Sequence, residues 1–408
     1  AYLAVGISWH RTARLSRESL GAFAELCRSV EADESYDSRA ALFRLAFGRG
    51  PFESMGRQAL QANISAGRYF LYIGALRSFL ARYAPDFPEN HINHLCSGEP
   101  DMRSRQMIEG IQQLAKVAAE DPQLAAKLNA QAPGGYSELL ASLPIEHPFS
   151  RALTDFLSTY GHRCVREIEL ATPRWREDPA TVLQMVRNYL QEDLQIATDR
   201  HSLHLLARDA LRQALPRRWQ QRLALYLVRR VRYYVTLRED TRHYHTMAFA
   251  TVRGKLMNLG LQLVQDERLR VQEDVFFLSW AEADALSRGE LDWMDVAGRV
   301  RQRRRLNQSL SRQRPPETIH IADMEATSDG TSDEQTGSQE LKGHCASPGT
   351  AEGPVRIITD PTTAAHLAPG DILVAPYTDP AWTPLFPIAA AVVVEVGSYL
   401  SHAGTIAR

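Results

Sequence analysis

The chain has little of what would set it apart from ordinary globular proteins. Only four cysteines occur in 408 residues (Cys27, Cys96, Cys164 and Cys345), widely scattered and with no CxxC pair. That argues against a disulfide framework or a zinc knuckle and reads as reduced thiols in the cytoplasm. No apolar run reaches the roughly 18–20 residues that a membrane-spanning helix requires. The longest, Ala389 to Val396, is short and interrupted by Glu395. The opening AYLAVGISWHRTARLSRESL lacks an apolar h-region and a small-residue cleavage site, so no secretory signal is read there. Charge of either sign is not in excess: 47 Lys and Arg face 48 Asp and Glu, giving no reason to expect nucleic acid or an anionic membrane as partner. Neither a repeat of fixed period nor a glycine-rich phosphate loop is found. No initiator Met is present and Arg408 falls in an expected helix, so the natural polypeptide is expected to be longer.

What is present falls into three parts. To about residue 310, Ala, Leu, Arg and Gln dominate and apolar residues recur every three or four positions, the period of helices. Breaks are expected at Pro51–Gly56, Pro85–Pro88, Pro133–Gly135 and the ATPRWREDP bend, after which Asp178 is placed to cap a new helix. A long helix is expected from about Pro216 to Gly260, and an extended piece, Val275 to Leu278, feeding a helix from about Trp280. Residues 321–341 are rich in Ser, Thr, Asp, Glu and Gly, a composition that buries too little apolar surface to offset chain entropy. The period then changes to strands at Val355–Ile358, Asp371–Tyr377 and Ala390–Gly397. The reading is multi-domain: a large, mainly α-helical domain (1–314), a flexible linker (315–342), and a truncated β/β/α swivelling domain (343–408).

The chemistry concentrates at the last strand, whose tight Gly-Ser turn leads to SHAGTIAR. Ser401 is placed as a helix N-cap, and His402 follows it. A neutral imidazole is a competent nucleophile near pH 7, and a phosphoryl group on it keeps high transfer potential. The unpaired amides and dipole of a helix start would favour the added charge, and Ser401 could donate a hydrogen bond to phosphoryl oxygens. Small residues, Ala403 and Gly404, leave room for a second site to close over the ring.

The stretches SPGTAEGPVRIITD and LAPGDILVAPYTDPAWTPLFPIAAAVVVEVGSYLSHAGTIAR resemble the mobile phosphohistidine domain of the phosphoenolpyruvate-utilising enzymes. The segments FLSTYGHRCVREIELATPRWREDP, LREDTRHYHTMAFATVRGKLMNLG and EDVFFLSWAEADAL are similar to the rifampin phosphotransferases within that group. The resemblance implies that His402 carries the phosphoryl group and that the helical domain binds a small-molecule acceptor. It further implies an ATP-grasp domain, with ATP and Mg2+, located on an absent part or a partner subunit, and a linker that lets the carrier swing between two sites. The expected activity is phosphoryl transfer from ATP through His402 to a small organic hydroxyl acceptor, releasing AMP and phosphate. The alternatives are a condensing ligase of the prodigiosin-synthesising type, a phenylphosphate-synthase-like or phosphoenolpyruvate-synthase-like enzyme, and a non-catalytic phosphocarrier subunit.

Arg238 and Arg242 stand four apart on an expected helix, hence on one face. Either they steady the phosphoryl in flight or they form a solvated basic face paired with Glu239 or Asp240. Arg163, with His162, Glu167 and Glu169, either touches phosphate or belongs to a buried salt-bridge knot at the Trp175 bend. Asp379, Pro380, Trp382 and Pro384 are given a structural role in shaping the histidine's platform. His91, His94 and Cys96 lack a fourth ligand, so no metal site is read. The run RQRRRLNQSLSRQR reads as a solvated helix end facing the acidic linker, and Phe70, Tyr72, Phe79, Tyr233, Tyr234, Phe249, Phe276 and Phe277 as core material.

Overall fold

Apolar side chains spaced three and four apart make one-sided helices, and the interior is where those sides meet. The computed structural model describes residues 20–32, 51–96, 102–130, 135–191, 200–311, 343, 345–346, 349–361, 364, 367–379, 382, 385–386, 388–397 and 403–404. The expected linker, Ser401 and His402 lie outside these. Two compact units are found: residues 1–255 with 346–408, and residues 256–345.

In the first unit α1 covers 20–32, α2 Pro51–Tyr83, α3 Glu89–Cys96, α4 Arg103–Ala119, α5 Pro122–Ala130, α6 Tyr136–Ala141, α7 Pro148–Tyr160, α8 Ala180–Gln191 and α9 Arg200–Ala214, and α10, Arg218–Gln265, belongs to it through residue 255. Pro51 opens α2 and Gly56 sits inside it, so the expected break there is a helix start instead. Proline fits a first turn because its missing N–H would have no partner there.

α4, α7 and α8 enclose one core. Met107, Ile111, Leu114 and Ala118 of α4 face Phe149, Leu153, Phe156 and Tyr160 of α7 and Val182, Leu183, Val186 and Tyr189 of α8. Each buried aliphatic or phenyl side chain contributes roughly 1.5–3 kcal/mol. α7 is started by Pro148 and by His147, whose Nδ1 accepts from Phe149 N at 3.2 Å. α8 is started by Asp178, whose carboxylate accepts from Ala180 N at 3.0 Å, the capping that its position before the apolar run predicts.

The C-terminal strands β1 (Val355–Ile357), β2 (Ile372–Ala375) and β3 (Ala391–Val394) form a parallel sheet in the order β1-β2-β3. The register pairs Ile357 with Val374 and Val374 with Val393. Side chains alternate in facing, so Leu373 and Ala375 are buried on one side. They join an apolar interior shared with Leu76, Leu95, Leu211, Val231 and Tyr234 of the helices. The other side carries Val355, Ile357, Ile372, Val374, Ala391 and Val393, with Val355 60%, Ile357 75% and Val393 50% exposed.

In the second unit the expected extended piece at Val275 is a 3-10 turn, Gln272–Phe277; only its flanks, Val271 and Leu278, are extended. Asp274 is buried within the turn, where its carboxylate accepts from Arg304 at 2.6 and 2.9 Å. Next come α11 (Trp280–Arg288), begun by a Ser279–Glu282 capping box, and α12 (Trp293–Leu310). The arginines of α12 meet acids within this unit: Arg299 and Arg303 bind Glu282, and Arg304 binds Asp274. Gly260 does not end the long helix; a Cβ there would lie 2.4 Å from the Gln272 carbonyl oxygen, so glycine permits a close backbone approach. Phe70, expected in the core, is 50% exposed. All four cysteines are free thiols, with burial pushing Cys27 up to about 12 and Cys164 to about 11. Among the described residues no helix is long and apolar enough to cross a membrane.

Candidate active site

The residues between α7 and α8 make a folded turn rather than a strand or helix, because Gly161, the bend prolines and a set of buried charges compete with regular structure. Two backbone bonds close it: Trp175 N donates to Arg163 O at 2.8 Å, and Arg176 N donates to Gly161 O at 2.9 Å. Trp175 fills the space beneath, 1% exposed. The buried Arg174 guanidinium donates to the carbonyls of Glu167 at 3.0 Å and Glu169 at 3.2 Å. Arg253 of α10 clamps the far end, holding Glu177 at 2.7 Å and the Leu170 carbonyl at 2.7 Å.

Glu167 is the hub. Its Oε1 lies 2.7 Å from Arg163 Nε with the two side chains 2% and 3% exposed. Neither atom has an aligned hydrogen-bond partner, so the contact is a Coulombic one between buried charges. The other oxygen, Oε2, accepts from Arg242 Nε at 3.0 Å. Arg163 is thus buried against Glu167, whereas Arg242 remains half-exposed. Burial would lower the Arg242 pKa, but the charges of Glu167, Glu239 and Asp379 outweigh it and hold it above the ordinary value. One turn earlier Arg238 donates to the buried Glu239 at 2.8 Å. The two arginines do share a face, and Arg242 is joined to the Arg163–Glu167 turn.

Beside the hub lie two imidazoles. His162 and His243 meet edge to face with ring centroids 4.6 Å apart, and both are buried. Burial, the neighbouring His243, and the Arg163 and Arg176 charges all push His162 below its ordinary pKa. Burial, then Arg163 and Arg103, do the same to His243. Both rings are neutral at pH 7, and a buried His162 is out of reach as a base for an external hydroxyl.

The sheet end of the molecule reaches the same turn. Asp379, 5% exposed, accepts from the backbone N–H of Arg166 at 3.0 Å. Arg166 has φ 58°, a left-handed pose that only a held residue keeps when it is not glycine. The preceding Thr378 accepts through Oγ1 from Ala403 N at 3.0 Å, and Ala403 is buried and helical. Residue 402 itself lies outside the described residues, but its successor is fixed to Thr378. The bonds of Thr378 and Asp379 were not foreseen from the sequence. An acid before proline is an ordinary turn signal, and nothing local shows a partner 213 positions away.

Among the described residues no three His, Cys, Asp or Glu side chains converge as they would around a metal ion. His91, His94 and Cys96 fall on or at the end of the short α3, where the His94 carbonyl faces His204 Nδ1 at 3.2 Å.

Residues 58–239 match the rifampicin phosphotransferase fourth domain, and residues 367–408 match the mobile domain of PEP-utilising enzymes. The prodigiosin synthesizing transferase PigC of Serratia marcescens is 29% identical over 83% of this chain and 39% of its own length. A rifampicin phosphotransferase of Streptomyces sviceus is 31% identical over 72% of this chain and 34% of its own. That of Bacillus cereus is 29% identical over 63% and 30%. The chain therefore spans well under half the length of these curated relatives.

Proposed function

Starting from a chain of the phosphoenolpyruvate-utilising enzyme family with the rifampicin phosphotransferase layout, we propose that it is the acceptor-binding and phosphohistidine-carrier portion of an ATP-dependent phosphotransferase. In this reading the hydroxyl oxygen of a small organic acceptor bonds to phosphorus as the phosphorus–nitrogen bond of phospho-His402 breaks. The nitrogen that leaves takes up the proton that the hydroxyl gives up. Arg242, and Arg238 one turn away, offset charge on the transferring group, where positioning and electrostatics supply most of the rate. Arg163 acts from below by fixing Glu167, which fixes Arg242. Ser401 is assigned to the phosphoryl oxygens.

ATP is the proposed phosphoryl source. By the family layout, ATP and Mg2+ are assigned to an ATP-grasp part or partner subunit. The free thiols fit a reducing compartment, and we place the chain in the cytoplasm.

One observation carries the reading. The residue after His402 is bonded to Thr378, and the next residue, Asp379, is bonded to the turn holding Arg163, Glu167 and Arg242. That supports delivery of the carrier to the arginines. The likeness to PigC over 83% of the chain favours one second reading, a condensing ligase in which the phosphoryl group only activates a substrate. Supplying the nucleotide-binding part and ATP labelled in its β-phosphate separates them. Acid-labile label on His402, lost in His402→Ala and passed on as a stable phosphoester, supports the transferase. A joined, unphosphorylated product with AMP supports the ligase, and turnover unaffected by His402→Ala refutes both.

A further inference from the structure

We propose that Thr378 and Asp379 form a docking latch that registers the carrier segment on the acceptor turn, with Asp379 as a positioning residue for delivery of the phosphoryl group. The proposal deepens the phosphotransferase reading and rests on it for the role of His402.

A carboxylate that is 5% exposed must have its charge met by hydrogen bonds or counter-charges. Asp379 finds a backbone N–H, that of Arg166, at 3.0 Å. Arg166 is held in its left-handed pose with its own carbonyl accepting from Glu169 N at 2.8 Å. The turn is thus closed on itself while its amide is given to a residue 213 positions away. The latch and the cationic hub are neighbours in sequence as well as in space, since Glu167, which binds Arg163 and Arg242, directly follows Arg166.

Thr378 completes the device. Its Oγ1 accepts from the N–H of Ala403, the first described residue after His402. Two consecutive residues therefore reach in two directions, one to the residue that follows the carrier histidine and the other to the turn beside the arginines. Successive Cα atoms stay about 3.8 Å apart, so a bond that holds one of the two residues also limits where the other can lie. With both bonds made, residue 403 and the Arg163–Glu167–Arg242 hub are set in register through Thr378 and Asp379. Without Asp379 the carrier would still accept a phosphoryl group at a distant nucleotide site but would meet the acceptor in the wrong register. A misplacement of about 1 Å is enough to cost roughly 100-fold in rate.

The test separates the two half-reactions in the full protein, with its nucleotide-binding part or subunit present. Asp379→Ala is expected to leave the rate of His402 labelling by ATP unchanged and to slow label loss to the acceptor by ~100-fold. Asp379→Asn keeps an oxygen that accepts from Arg166 and is expected to recover most of that loss. Thr378→Val, which removes the acceptor of the Ala403 amide, is expected to slow label loss to the acceptor likewise. It serves as the second variant if Asp379→Ala does not fold. Hydrogen exchange at the Arg166 amide is read in parallel on the unphosphorylated protein, and faster exchange in Asp379→Ala is expected. Labelling and transfer falling together, or an Arg166 amide indifferent to Asp379, overturns the latch. No label on His402 of the parent protein would instead overturn the phosphotransferase reading while the exchange measurement still judges the latch.

Discussion

Replacing Glu167 by glutamine keeps the size of the side chain and one acceptor oxygen but removes the charge that two arginines share. Its contact with Arg163 joins side chains 2% and 3% exposed, so the variant leaves a buried guanidinium without its counter-charge. Breaking a buried pair from one side costs about 3–5 kcal/mol. The contact with Arg242, whose side chain is 38% exposed, is screened by water and adds about 1 kcal/mol or less. With roughly 2–4 °C of melting temperature per kcal/mol in domains of this size, a loss of about 4 kcal/mol lowers the first thermal transition by roughly 8–16 °C. Far-UV circular dichroism melts of the parent and Glu167→Gln read this directly. Removing both charges, as in Arg163→Met with Glu167→Leu, is expected to recover much of the loss, because no unpaired charge stays buried. A Glu167→Gln transition within about 2 °C of the parent, or a double variant worse than the single one, would refute the view that the hub is a buried charge pair.

Stability near neutral pH is expected to depend on the buried imidazoles. His162, His243 and His245 all sit below their ordinary pKa, so the unfolded chain takes up protons near pH 6.5 that the folded chain refuses. The unfolded state then binds more protons, and stability falls as the pH drops below about 6.5, by up to about 1.4 kcal/mol per pH unit for each histidine. Denaturant titrations at pH 7.5, 6.5 and 5.5 check this; a flat profile contradicts it, and His162→Phe is expected to lessen the slope. Two glycines of α10 make an opposed pair. At Gly254 a Cβ meets nothing within 4 Å, and Gly254→Ala should stabilise by about 1 kcal/mol through helix propensity. Gly260→Ala drives its methyl to 2.4 Å from the Gln272 carbonyl and should destabilise by about 1–3 kcal/mol despite the same gain in propensity. Equal shifts in the two melts would show that the close approach is not there.

Elements whose cause is local were legible in the sequence. Asp178 before an apolar run marked the start of α8, the helix expected from about Trp280 is α11, and runs of β-branched residues marked all three strands. The 3-10 turn at Gln272–Phe277 was not. Its apolar residues resemble a short strand, and what decides the matter is Asp274 reaching Arg304, thirty positions on. Gly56 and Gly260 looked like breaks because glycine weakens a helix, but the surrounding turns outweigh one such residue. At the site, the spacing of Arg238 and Arg242 put both on one face. It could not show that Glu167 selects Arg242 for the hub while Arg238 turns to Glu239. Asp379 reads from sequence as part of the turn shaping the histidine's platform, and its bond to the Arg166 amide stays hidden because that partner carries no mark in the side-chain sequence.

The sheet has a practical consequence. Parallel sheets ordinarily live between two covering layers, and here one side presents six aliphatic side chains from three strands. Water is a poor solvent for such a surface. Wherever this stretch of polypeptide is prepared with nothing laid over Ile357, Val374 and Val393, its copies will tend to adhere there. Protein concentration then becomes a variable of every melt and rate, to be held fixed or titrated before a substitution is credited with an effect.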